Sequence, residues 1–291
     1  MGLRIATNIA ALNARKNMYG LSNEQQTVME RLSSGIRINK SSDDAAGLAI
    51  SENLKAQIRG FRQANRNAND GISLVQVAEG GLSEITNMLV RLRELAVQSS
   101  SDTIGDRERG FTNIEYQQLK SEIDRVAHTT TFNGTPLLTG GMGPDGQPIQ
   151  TADGQPLKLD IQIGVNNNEF NDRITFDTAS TDSTLQTMNL NEVSVATKEQ
   201  ARNSLNTVDD AINRVNGMRA NFGAMQNRLQ TVSQTLMVSD ENLSAANSRI
   251  RDADIAEESS KLAKNNVLMQ AATAVLGQAN QSNQLALKLL T

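Results

Sequence analysis

The chain has 291 residues, no Cys, no Trp, and 28 Lys and Arg against 32 Asp and Glu, for a formal charge of −4. Without Cys, nothing rests on disulfides or thiolates, and the redox compartment is unconstrained. No Lys/Arg run forms a phosphate-binding stripe, which argues against nucleic-acid binding. Two Tyr and six Phe are too few for an ordinary compact core; the apolar load is Leu, Ile, Val, Ala and Met at helical spacing, as in long helical rods.

Charge is unevenly spread. Residues 1–40 carry six Lys/Arg and two Glu, net +4, residues 252–291 are net −1, and the middle is −7. No apolar run reaches the length needed to span a membrane. Thr7, Asn8 and Asn13 interrupt the N-terminus, so it does not read as a secretory signal. Cytoplasmic residence and export without cleavage both remain open.

The first arm begins with Leu3, Ile5, Ile9 and Leu12, followed by Tyr19, Leu21, Val28 and Leu32. The spacing is helical but the stripe is thin, so the helix depends on packing for stability. Ser33, Ser34 and Gly35 interrupt it, and Ser41 three residues before Asp44 predicts the next helix start, with Asp43 and Asp44 in its first turn. From Leu54 a seven-residue repeat runs through Phe61, Ala68, Val75, Leu82, Leu89 and Ala96. A second stripe of Ile85, Met88, Leu92 and Leu95 opens on its later half, and two stripes imply two neighbours, as in a bundle. A loop is expected at Ser99–Gly105, then a shorter helix with Tyr116, Leu119, Ile123 and Val126 on one face.

All four prolines, at 136, 144, 148 and 156, fall in one window, with 135 proline-free residues on either side. Because proline costs a helix interior about 3 kcal/mol, this suggests two helical arms folding back around a non-helical centre. Phe132–Asn133–Gly134 is a turn signal, and Asp-Gly-Gln-Pro occurs twice, at Asp145–Pro148 and Asp153–Pro156. Leu157, Leu159, Ile161, Ile163 and Val165 alternate with polar residues, and Ile174 and Phe176 resume the alternation after Asn166–Asn168, predicting a hairpin. Thr178–Thr187 reads as a polar loop.

The second arm starts near Thr197. Val208, Val215, Phe222, Leu229, Leu236, Leu243 and Ile250 recur every seven residues without a miss, so one stripe must face a partner helix. A helix from Leu205 to Ile250 would be roughly 70 Å long. After a phase shift, Ile255, Leu262, Met269, Leu276 and Leu290 are again seven or fourteen apart, beside Leu268, Val275 and Leu289. That last helix is apolar over a wider arc than one thin N-terminal helix can cover, which points to self-assembly.

Catalytic patterns are lacking. A single His, His128, and no Cys leave no zinc cluster or Cys–His pair, and His128 suits a helix C-terminus. Neither a P-loop nor a Gly-rich dinucleotide cradle occurs. The acids Asp252, Asp254, Glu257 and Glu258, beside Arg249 and Arg251, read as a charged helix junction.

Four segments carry a family resemblance: LSSGIRINKSSDDAAGLAI (Leu32–Ile50), VRLRELAVQ (Val90–Gln98), EIDRVAHTTTFNG (Glu122–Gly134) and SRIRDADIAEE (Ser248–Glu258). They closely resemble bacterial flagellin, over nearly all of residues 1–134 and 195–291, with a short centre lacking the large outer domains of many relatives. The resemblance implies a mainly α fold, with long coiled-coil-like helices from both chain ends packed as a rod and a small β-hairpin region mid-chain. It places residues 1–40 and 255–291 in an inner filament core, disordered before assembly, with packing residues Ile5, Ile9, Leu12, Ile255, Leu262, Met269, Leu276 and Leu290. Residues 41–53 and 251–254 would be connectors. Residues 54–130 and 195–250 would form an outer rod with the seam Leu54, Phe61, Val75, Leu82, Leu89, Val208, Val215, Phe222, Leu229, Leu236, Leu243 and Ile250, and 131–194 the hairpin and variable loops.

By the same resemblance the chain is a structural filament subunit, not an enzyme, and needs no cofactor or metal. It would polymerise with itself, leave the cell unfolded through the flagellar type III apparatus without a cleaved signal, and reside in the extracellular flagellum. Its partners would be an export chaperone on the C-terminal helix and hook-associated junction and cap proteins, with no membrane insertion. Flagellins sensed by the vertebrate flagellin-specific Toll-like receptor use an Arg and a Leu in this RxRELAVQ motif and a Glu on the next helix, which map to Arg91, Leu95 and Glu115. Lateral packing between rods is the plainer role for those three. A hook–filament junction protein, and a receptor-ligand or adhesin role of the same surface, are the alternatives. Replacing Leu262 or Leu276 by Asp should block assembly, and Thr181→Asp should not, because only the former bury unpaired charge.

Overall fold

The computed structural model describes residues 7–142 and 158–288, with side chains to residue 281. The order is α1 (Ile9–Ser34), α2 (Ala45–Ser99), α3 (Asp106–Thr129), β1 (Thr131–Phe132), β2 (Thr135–Pro136), β3 (Lys158–Gln162), α4 (Glu169–Asp172), β4 (Arg173–Asp177), α5 (Lys198–Arg251) and α6 (Ile255–Lys288). The fold is mainly α with long helices from both arms and two small antiparallel hairpins, β1–β2 and β3–β4. It divides into two compact units, Met1–Ile58 with Glu241–Thr291 and Arg59–Asp240.

In the second unit the heptads do what their period requires. Ala68, Val75, Leu82, Leu89 and Ala96 are at 0–1 % exposure with Ile85, Leu92 and Leu95, so both stripes of α2 are covered. From α3 come Tyr116, Ile123 and Ala127, and from α5 Val208, Ala211, Val215, Met218, Phe222 and Leu229. Each fully buried Leu or Phe contributes about 1.5–3 kcal/mol. The seam fades towards Leu243 and Ile250, and Leu54 and Phe61 are half-buried as well.

The strand alternation reads out as a hairpin of β3 against β4, with Ile161 opposite Ile174 and Leu159 opposite Phe176. Phe176 stacks on Phe222 of α5 at 5.5 Å between ring centres. Glycines in α2 mark the hairpin's track. A Cβ on Gly71 would come 2.7 Å from Ile161 Cδ1, and one on Gly60 would run into Val165 Cγ1. These glycines weaken the helix intrinsically by about 1 kcal/mol each, and the close approach of the hairpin is the reason they stand there.

Three local expectations are corrected. The start of α2 is capped by Asp44, not Ser41: Asp44 Oδ1 accepts from Gly47 N at 2.8 Å, and Asp43 instead accepts from the amides of Asn39 and Lys40. An acid with two competent oxygens wins the cap nearer the apolar repeat. Thr181 is not on an open loop but 5 % exposed, its hydroxyl donating to the Leu137 carbonyl at 2.7 Å. Tyr19, expected in the first stripe, is 73 % exposed. The twin Asp-Gly-Gln-Pro segments lie outside the described residues.

Candidate assembly surfaces

In the first unit, α1 and α6 pack antiparallel. Asn8 caps α1, its Oδ1 accepting from Ala11 N, while its Nδ2 donates to the Ala279 carbonyl at 2.9 Å. At the other end Gly35, at φ +70°, closes α1 by donating to the Arg31 carbonyl, a left-handed cap that favours glycine. The linkers then pair through backbone: Arg37 N donates to Arg251 O at 2.7 Å and Ala253 N to Gly35 O at 3.0 Å. Ser51 donates to Asn247 Oδ1 at 2.8 Å, and Arg251 reaches Glu52 at 2.5 Å. Asp254 Oδ1 caps α6 by accepting from Ala256 N. The acid group of the sequence is thus a helix junction.

The covered face of α1 is Ala11, Ala14, Met18, Leu21, Gln25, Val28 and Leu32, spaced three and four apart; that of α6 is Glu258, Leu262, Asn265, Met269, Ala272, Leu276 and Ala279. Alternating three- and four-residue steps are the mark of a coiled-coil seam. Leu262, Met269 and Leu276 therefore lie half-buried in it, while Ile255 is 51 % exposed. Ile9 and Leu12 stand on another face, 52 % and 53 % exposed, since the first stripe belongs to the smaller Ala11 and Ala14, two positions out of phase. Ile5 and Leu290 lie outside the described residues.

The seam mixes large apolar residues, mostly half-buried, with small and polar ones. Its fully buried apolar members are Ala11, Ala14, Val28 and Ala279, while Glu258 and Asn265 are 4 % and 3 % exposed. Glu258 has Lys261 Nζ at 3.0 Å and Arg31 Nη1 at 3.6 Å; Glu257 and Glu258 together hold the Lys261 ammonium above its ordinary pKa. The Asn265 side-chain nitrogen has no hydrogen-bond partner among the described residues. Meanwhile Ile9, Leu12, Tyr19, Met29, Ile255, Val267, Leu268 and Val275 remain exposed within this unit. An apolar surface of that extent on a helix pair marks an interaction site. The burial of Glu258 and Asn265 was not read from the sequence, although both lie in a seven-residue register with Ala272 and Ala279.

In the second unit, Arg91 on α2 donates bidentately to Glu115 Oε1 on α3, at 2.8 and 3.0 Å, and to Glu94 Oε2 at 2.8 Å. Glu94 and Glu115 hold the guanidinium above its ordinary pKa. The pair is exposed, but Leu95 is 1 % exposed and belongs to the core, so the three mapped residues do not form one surface. Behind them Lys120, which burial pushes below its ordinary pKa, donates to the carbonyls of Asn191 and Val193 at 2.9 Å. Asn113 accepts from Val195 N, so α3 clasps the segment leading into α5. Among the described residues no group of His, Asp and Glu is arranged to hold a metal, and no helix is long and apolar enough to cross a membrane.

Comparison with known proteins agrees with this arrangement. Residues 5–142 match the bacterial flagellin N-terminal helical region and residues 205–290 the bacterial flagellin C-terminal helical region. The chain is 43 % identical to a flagellin of Halalkalibacterium halodurans over 283 residues, covering 97 % of this chain and 98 % of that one. It is 40 % identical to a flagellar filament core protein of Brachyspira hyodysenteriae, covering 98 % and 99 %. Its fold is similar to that of a putative flagellar hook-associated protein from Vibrio parahaemolyticus, with TM-score 0.56 and 12 % identity over 72 % of this chain and all of that one.

Proposed function

The chain belongs to the bacterial flagellin family, and on that footing we propose that it is a structural subunit which polymerises with copies of itself into the flagellar filament. One observation carries this reading: α1 and α6 cover each other along one seam and leave eight large apolar side chains exposed on their other faces. Among the described residues those faces have no cover. Copies of the same unit supply one, because each presents the same apolar face to its neighbours.

Further steps follow as parts of the same proposal. The subunit travels unfolded through the flagellar type III apparatus, with a chaperone covering α6 until assembly, and ends in the extracellular filament between junction and cap proteins. A chain with no Cys and no Trp suits such passage. Ile9, Leu12, Ile255, Leu262, Met269 and Leu276 pack the inner core, and the repeat from Val208 to Ile250 with that from Leu54 forms the outer seam. Recognition by the flagellin-sensing Toll-like receptor would use Arg91 and Glu115, with Leu95 supporting α2 from inside. In a receptor reporter assay Arg91→Ala should reduce signalling; unchanged signalling rejects that role.

Seeded growth tests the main reading. Purified chain added to short filament seeds should lengthen them under negative-stain electron microscopy. Chains trimmed of residues 1–40 or of 255–291 should stay soluble and monomeric; filaments from either truncation would contradict the proposal.

A further inference from the structure

Phe170 is the most exposed large apolar side chain among the described residues, at 87 %. It is displayed on a built turn. Asn168 Oδ1 accepts from the amides of Phe170 and Asn171 at 3.0 and 3.1 Å, and Asp172 Oδ2 accepts from Asn168 N at 2.9 Å. Next to the ring, Glu169 has no hydrogen-bond or ion-pair partner among the described residues. The same turn rests on α2 at Gly60, through Val165.

A complementary surface lies elsewhere in the same unit. On α3, Arg107, Phe111 and Ile114 follow at intervals of four and three, so they share one face. Phe111 and Ile114 are 63 % and 60 % exposed, and Arg107 is exposed without a partner among the described residues. The Arg91–Glu115 pair fixes this face beside residue 91 of α2. From residue 60 to residue 91 is roughly 45 Å along a helix, so turn and stripe cannot meet within one chain.

We propose that the Glu169–Phe170 turn of one copy seats on the Arg107–Phe111–Ile114 stripe of a second copy. The inference rests on the reading that the chain polymerises, and adds to it a specific contact. The aromatic ring anchors on two apolar side chains, and the carboxylate faces the unpaired guanidinium. Two different patches joined in this way make a head-to-tail contact, which leaves a free patch at each end and so permits open growth. An aromatic anchor of this kind carries much of an interface's energy.

The test uses the full chain and seeded growth. Phe170→Ser should raise the concentration needed for filament growth about tenfold or more, with unchanged helicity, because the ring covers no core. Glu169→Arg and Arg107→Glu should each impair growth, and the double reversal should restore it. Because the chain has no Cys, Asn171→Cys combined with Gly110→Cys gives unique sites beside turn and stripe, and a Cβ at Gly110 meets nothing within 4 Å. A short bis-maleimide added to filaments of that variant should yield a ladder of dimers, trimers and longer chains. If the unaltered chain grows no filaments, the polymerisation reading itself falls and this contact with it. If filaments grow but cross-linking leaves only monomers, and Phe170→Ser grows like the unaltered chain, the contact alone is refuted.

Discussion

Replacing Asn265 by Leu should tighten the pairing of α1 with α6. Asn265 is 3 % exposed and its side-chain nitrogen has no partner among the described residues. A buried donor left unsatisfied costs about 1–3 kcal/mol. A Leu at the same seam position removes that cost and adds apolar burial of about 1–2 kcal/mol. Together the change is about 2–5 kcal/mol, or roughly a thirtyfold to several-thousandfold shift in the opening equilibrium of the pair. Amide hydrogen exchange on the unassembled chain reads this directly. Amides of Ile9–Ser34 and of the facing part of α6 should exchange more slowly, while those of α3 should not change. Equal or faster exchange in the helix pair would show that Asn265 does not sit in a closed seam, and would refute the reasoning.

In the same seam, Leu262→Asp and Leu276→Asp should abolish seeded filament growth, measured by sedimentation. The matched control is Ala179→Asp on the exposed surface, since Thr181 is buried and its replacement by Asp would damage the second unit. Gly60→Ala should lower the thermal midpoint of the second unit, by a net loss of up to about 2 kcal/mol, because collision of its methyl with the stiff Val165 side chain costs about 1–3 kcal/mol while the helix regains about 1; a midpoint raised in calorimetry would mean the hairpin does not lie on α2 there. Burial pushes the Tyr116 phenol up to about 12 from 10.0, with Ser204 acting in the opposite direction as the smaller cause. A raised folded-state value means that stability is kept below pH 10 and lost above it, by about 1.4 kcal/mol per pH unit, until pH 12. Denaturant titrations at pH 9 and 11 should show that loss, and Tyr116→Phe should shrink it.

The second unit was legible because its repeats are strong. Seven-residue periods in α2 and α5 place Val75, Leu82, Val208 and Val215 inside whatever the partner, and the alternation around Ile161 and Ile174 marks the strands. The first unit was legible only in outline. Its seam interleaves Leu21, Val28, Leu262 and Leu276 with Ala, Gln, Asn and Glu, which carry little periodic signal, while other large apolar residues such as Ile9 and Tyr19 point away from it. Large side chains therefore mark both faces of the helix pair, and the buried Glu258 and Asn265 of the pairing face go unseen.

The sequence by itself determined which segments are helical, where the chain turns back and that no catalytic constellation is present, because heptads, prolines and residue types act locally. Tertiary structure decided that Arg91 pairs with Glu115 at the surface, that Asp44 rather than Ser41 caps α2, and that Glu258 and Asn265 are buried. It also decided that Phe170 is held out towards solvent. These depend on which atoms of a distant segment meet each residue, and neither residue type nor local spacing fixes that where the contact is polar or the face is not a heptad stripe.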